Sequence, residues 1–204
     1  MKEVLKCIGV IILVAVGNLC AVFSATLLLC ILQGKPVEVI SESTLFVKVT
    51  YLVSIVYSLL IILKFRRPSK FIFAWKKCLF YLLLAVIFSL IWNYIIFCMT
   101  KPTLEKASIL LLIETGILGP ILEEYLYRGY ILEKLETVYE TKQAMCITTI
   151  LFAVSHLQFL TMIYAFILGT IFMLILKKEQ SLKYTIFFHI IVNMTALLLP
   201  PLLF

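Results

Sequence analysis

The chain alternates long apolar runs with short polar breaks, and the runs are longer than a helix buried in a water-soluble domain requires. They lie near 8–32, 44–63, 78–99, 107–126, 143–160, 161–176 and 184–203. A hydrocarbon core about 30 Å thick takes ~20 residues of α-helix, whereas a barrel strand crosses it in roughly ten alternating residues. The pattern therefore predicts an all-α, polytopic membrane helix bundle with about seven transmembrane helices, forming one membrane domain over 1–204. The junction of the fifth and sixth runs is the faintest: "LQFLTM" carries hardly any polar turn, and a long helix, a tight hairpin or a broken helix would each satisfy it. The first run has a basic head, "MKEVLK", but continues to Leu32. That exceeds the roughly 7–15 residues of a signal-peptide core, so the run reads as an uncleaved span.

Composition agrees with the pattern: 63% of residues are hydrophobic and 14% charged, with a mean hydropathy of +1.12. The net charge of +7 is a matter of placement and does not point to a nucleic-acid partner. Assigned to alternate sides of seven spans, fourteen of the 18 Lys and Arg fall on one side, and only Lys35, Lys48, Lys101 and Lys106 on the other. Basic residues collect in cytoplasmic loops. The expected orientation is an N-terminus in the cytoplasm and a C-terminus outside. The aspartate-free, Ile- and Lys-rich composition suggests a bacterial plasma membrane. None of the six cysteines forms a CxxC pair, so neither a disulfide framework nor a cysteine metal site is expected.

Ionisable groups at membrane depth are costly, few and mostly functional. Here they are Glu114, Glu123, Glu124, Arg128, His156 and His189, with Asn18, Asn93, Gln158 and Asn193 as neutral polar groups. Both histidines of the chain sit in predicted spans. Phe152 and His156, His189 and Asn193, and Glu124 and Arg128 are each four residues apart, so each pair shares a helix face. Glu124 and Arg128 can neutralise one another, leaving Glu123, about 100° around the helix, to face something else. An antiparallel hairpin that sets Glu123 level with His156 turns inside the polar stretch 136–142, which makes His156 the expected partner of Glu123. Glu114 falls on the opposite face and is expected to be structural. Gly119-Pro120 should kink the fourth span, because proline removes one backbone hydrogen bond and crowds the preceding turn. Beyond the kink, residues 123–142 read as an amphipathic continuation past the membrane face.

A carboxylate and a histidine converging on one cavity can activate water, and a second histidine with an amide can donate to an oxyanion. That is the outline of an amide hydrolase. Two histidines and a glutamate are also a zinc ligand set. The absence of HExxH leaves zinc, on Glu123, His156 and His189, an open alternative. Without aspartate, a Ser–His–Asp triad is impossible. A carrier using Glu114, Glu123 and the histidines is disfavoured, because the paired interrupted helices of inverted-repeat transporters are missing.

Three motifs stand in order: "EEYLYR" at 123–128, "FAVSH" at 152–156 and "HIIVN" at 189–193. Together they resemble the CPBP, or Abi, family of CAAX proteases and bacteriocin-processing or bacteriocin-immunity membrane proteins. The resemblance covers 107–204 as the catalytic core and leaves 1–106 as a variable extension of three spans. It implies an intramembrane endopeptidase, often labelled a metalloprotease, that hydrolyses a peptide or protein substrate in or at the lipid bilayer. It implies catalytic roles for Glu123 and His156 in activating water and for His189 and Asn193 in binding the oxyanion. Glu124, Arg128 and Phe152 would support them. In bacteria the family implies peptide maturation or self-immunity. The competing reading is a non-catalytic immunity or scaffold protein that keeps the motifs as a structural polar network.

Overall fold

The computed structural model describes residues 1–66, 74–100 and 107–198. Within them the chain forms eight helices, here α1 (Lys2–Gln33), α2 (Val37–Ser41), α3 (Thr44–Phe65), α4 (Trp75–Thr100), α5 (109–136), α6 (Thr141–Val154), α7 (Phe159–Glu179) and α8 (Leu182–Leu198). Seven coincide with the apolar runs; the short α2 was not expected. Arg67, Lys70, Lys101 and Lys106, which entered the orientation count, and the end of the last run lie outside the described residues. Local chemistry sets several boundaries. Gly34 takes the left-handed conformation (φ 60°) and returns its N–H to Cys30 and Ile31 at the end of α1, a position where a Cβ would be strained. Ser43 and Ser108 accept hydrogen bonds from Phe46 and Leu111 at the starts of α3 and α5, satisfying amide groups that the first turn leaves unpaired.

Four helices, α1, α3, α4 and α7, are long and apolar enough to cross a bilayer. Large apolar side chains such as Leu13, Leu19, Leu60 and Ile91 are exposed along them, as lipid-facing surfaces require. The helices α1 and α3 pack as one pair, α6 and α7 as another, and α4 packs along α8. Small residues allow close approach at these crossings. A Cβ on Gly17 would run into the Tyr57 hydroxyl, and Tyr57 donates to the carbonyl of Val14 at 2.9 Å.

The fourth span departs from expectation in two ways. The helix runs unbroken from 109 to 136, but Leu112–Leu118 and Glu124–Ile131 are wound as π-helix around a short α segment, Gly119–Glu123. Pro120 cannot donate to a carbonyl one α-turn back; instead Gly119 bonds Glu114 in the wider register. The proline is therefore accommodated as a change of winding, a device that recurs at functional sites. The helix also stops at Glu136 rather than continuing to 142, and a turn at 137–140 leads into α6. Within it Glu124, Tyr125, Leu126, Tyr127, Arg128 and Gly129 are all buried. The segment expected to leave the membrane face is instead enclosed by the bundle.

The fifth and sixth runs separate at 155–158, earlier than the expected boundary at 160. The connection is tight: His156 N–H bonds Ala153, Gln158 N–H bonds the carbonyl of His156, and Leu157 adopts φ 59°. With 14 residues, α6 extends only ~21 Å.

Glu114 is structural in placement, as expected. It accepts a hydrogen bond from Ser54 of α3, and Asn18 of α1 donates to the same hydroxyl at 3.2 Å. One polar contact thus ties α1 and α3 to α5. Ser54→Ala should leave the Glu114 carboxyl without its donor among apolar side chains and cost about 1–3 kcal/mol. A lowered midpoint of thermal unfolding in detergent checks this.

Candidate active site

The site is built where π-wound α5 meets α6, α7 and α8. Its foundation is a buried charge cluster. Arg128 Nη1 donates to Glu124 Oε1 at 3.0 Å, one turn along α5. The same oxygen lies 3.0 Å from Nδ1 of His189 on α8. Neither side chain of the Glu124–Arg128 pair has any exposure. The guanidinium lies 4.3 Å from the ring centre of Phe152 and 4.7 Å from that of Phe172. Its Nη2 points to the carbonyl of Gly169 at 3.5 Å. Buried, paired and sandwiched between aromatic faces, this arginine belongs to the core and not to a loop.

Glu123 turns the other way. Its carboxylate is 32% exposed and its Oε2 stands 3.7 Å from Nε2 of His189. The two adjacent glutamates therefore address opposite nitrogens of one imidazole. His189 is thus a neighbour of Glu123 that the expected pairing with His156 did not include, while Glu123 and His156 line the same cavity. Glu123 ends the short α segment and Glu124 opens the π-wound one, and α8 packs against both.

His156 lies beside Phe152, as the four-residue spacing predicts, but in a turn and not within the helix. It follows the end of α6, and its Nδ1 is 2.8 Å from the carbonyl of Phe152. A carbonyl can only accept, so Nδ1 carries the proton and Nε2 is left as an acceptor. The His156 and Phe152 rings meet edge-on at 4.9 Å. Asn193 donates to the carbonyl of Thr115 at 2.9 Å. One N–H of its amide is thereby used, and the second remains for another acceptor.

Glu123, Phe152, His156, His189 and Asn193 line a single cavity of about 360 Å³, completed by residues that include Thr115, Tyr164 and Leu168. This volume is at the small end of ligand pockets. It suits a short extended segment better than a folded chain. Tyr164 is fixed against Trp92 and Phe88 of α4, at ring-centre distances of 4.9 and 5.8 Å. Through it a helix of the N-terminal extension supports the cavity wall.

The zinc alternative requires Glu123, His156 and His189 as ligands. Among the described residues no three His, Cys, Asp or Glu side chains are grouped to hold a metal ion. Both nitrogens of His189 are already turned towards carboxylates, and Nδ1 of His156 is engaged by a carbonyl. The three side chains in this arrangement do not make a metal site.

Phe172, Gly169 and Thr115 are the contributors that motif spacing misses. Phe172 lies 4.5 Å from the His189 ring, yet in the sequence it is one aromatic residue in an apolar run. Gly169 has a discernible signal, a lone glycine inside a span, the usual mark of a close crossing. A Cβ there would come within 3.1–3.2 Å of Phe152, Arg128 and Thr149.

Residues 105–195 match the family model described as Rce1-like, type II CAAX prenyl endopeptidase. No curated protein and no solved structure matches the chain.

Two outcomes test the foundation. Arg128→Met should leave Glu124 as an unpaired buried charge and cost about 3–5 kcal/mol; pairing it with Glu124→Leu should recover part of that loss, as read by detergent unfolding. Gly169→Ala should force Phe152 or Arg128 from its place and cost about 1–3 kcal/mol by the same measurement.

Proposed function

We propose that this chain, whose residues 105–195 match the Rce1-like, type II CAAX prenyl endopeptidase model, is a member of that family and hydrolyses a peptide bond of a membrane-associated peptide or protein with a water activated by Glu123 and His156. The observation that carries this reading is the division of labour between two adjacent glutamates. Glu124 is consumed by Arg128 and His189, whereas Glu123 faces the cavity as its only carboxylate among the described lining residues.

The steps follow from the placement. A water in the cavity gives a hydrogen bond to Glu123 and another to the unprotonated Nε2 of His156. As its oxygen attacks the scissile carbonyl carbon, its proton passes to Glu123. The carbonyl oxygen becomes an oxyanion beside Asn193, whose free N–H donates to it, and beside Nε2 of His189. That donation requires a proton on Nε2 while Nδ1–H is held by Glu124. Glu123 then returns its proton to the departing amine nitrogen, which breaks the C–N bond. Donors placed in advance stabilise the charge that develops only in the transition state. Glu124, Arg128 and Phe152 act on His189 and on the α6–α7 turn as positioning residues.

In this reading the bacterial role is maturation of a peptide or self-immunity to a bacteriocin, and the short apolar cavity supports a substrate threaded as an extended segment. A non-catalytic immunity protein would need the buried cluster but not the freely facing Glu123.

Glu123→Gln should lower turnover by about 10²–10⁴, and Asn193→Ala by about 10²–10³, with folding and insertion unchanged. Comparative peptidomics of cells carrying Glu123→Gln should reveal an uncut peptide that the unaltered protein removes. Full retention of function in Glu123→Gln overturns the hydrolase reading.

A further inference from the structure

The bundle has two unlike ends, and the cavity belongs to one of them. Contacts gather Lys64, Arg66, Lys76, Lys77, Lys134, Lys142, Lys177, Lys178 and Lys183 at a single end. Phe65 stacks near Tyr130 at 5.1 Å, Ala74 N–H reaches the Tyr184 hydroxyl at 3.3 Å, and Lys77 pairs with Glu179 at 2.5 Å. The turn at 137–140 lies there too, its Tyr139 hydroxyl 2.9 Å from the amino group of Met1. Among the described residues only Lys35 and Lys48 sit at the other end.

The cavity walls are the opposite ends of the same helices. Thr115 lies near the start of α5, His156 in the α6–α7 turn, Thr161 in the first turn of α7 and Leu197 near the end of α8. Towards the basic end the cavity is closed by Glu124, Arg128 and Phe172, none more than 3% exposed. In the chain between the lining residues His156 and Thr161 stand Leu157 and Phe159, 86% and 75% exposed, which we take as its apolar rim.

Basic ends of membrane helices stay in the cytoplasm. The geometry therefore points to an active-site cavity that opens on the extracytoplasmic half of the membrane. Given the peptidase reading above, on which the substrate part of this inference rests, the substrate class is a peptide or protein segment presented at that face. The apolar rim suits a segment lying in the outer leaflet. The C-terminus of a cytoplasmic lipidated protein would meet the opposite side of the Glu124–Arg128 cluster, where Arg128 borders a separate cavity of about 560 Å³.

Sidedness can be read without any cleavage. Leu157→Cys at the cavity rim and Thr137→Cys at the basic end are made separately in the full chain, with the exposed Cys20, Cys98 and Cys146 replaced by alanine. Each is treated with a sulfonated, membrane-impermeant maleimide in intact cells and in inverted membrane vesicles. The expected result is labelling of Leu157→Cys in intact cells and of Thr137→Cys only in inverted vesicles. The reverse pattern, labelling of both from the same face, or no labelling of Leu157→Cys from either face overturns the inference. Because labelling needs no turnover, loss of the peptidase reading through an active Glu123→Gln variant would leave this result standing, and the two failures are distinguishable.

Discussion

A buried carboxylate that shares one oxygen between an arginine and a histidine constrains everything around it. Glu124 is fully buried and Arg128 nearly so. Taking such charges out of water costs several kcal/mol per ion, repaid only when the geometry is good and the remaining donors find partners. The fold goes part of the way with residues from three other helices, His189 from α8, the Gly169 carbonyl from α7, and the aromatic faces of Phe152 and Phe172 from α6 and α7, while Glu124 Oε2 and Arg128 Nε find no hydrogen-bond partner. None of these can move without exposing a charge to hydrocarbon. The cluster therefore fixes the mutual placement of α5, α6, α7 and α8, and with it the position of His189 in the cavity.

The rigidity of this foundation is what allows a second carboxylate to stay uncommitted. In an apolar interior an unpaired glutamate would ordinarily be removed or neutralised. Glu123 is tolerated because it borders a cavity and stands opposite a nitrogen whose ring is already held from behind. Pro120 disrupts α-helical bonding just before the two glutamates, and the helix passes through π-turns on both sides of Gly119–Glu123. At the boundary between the two windings stand two adjacent acids with different neighbours, one structural and one facing the reacting space.

The N-terminal helices do more than anchor. Asn18, Ser54 and Glu114 join α1 and α3 to the start of α5, and Tyr164 of the cavity wall rests on Phe88 and Trp92 of α4. The bundle is also polarised: cations and aromatic hydroxyls tie one end together, while the other holds the cavity and its apolar rim. A membrane bundle lacks a hydrophobic drive between its helices. Its specificity must come from such scattered polar contacts and from close crossings at Gly17, Gly116 and Gly169.

Much of this was legible in the residues themselves. Bilayer thickness determines the length of an apolar run, so the helical class and seven of the eight helices follow from hydropathy alone. A four-residue repeat determines what shares a helix face, so the Glu124–Arg128 pair could be read directly, and the scarcity of ionisable groups in the spans singled out Glu123, His156, His189 and Asn193. Tertiary structure decided the rest. That both Glu123 and Glu124 address His189, and that Gly169 and Phe172 enclose Arg128, are contacts between helices distant in sequence, and the turn that spends His156 Nδ1 on a carbonyl lies inside an apolar run without a polar break. Periodicity describes one helix at a time. It carries no information on how α8 packs against α5, and that packing decided which of two adjacent glutamates would be buried and which would face the cavity.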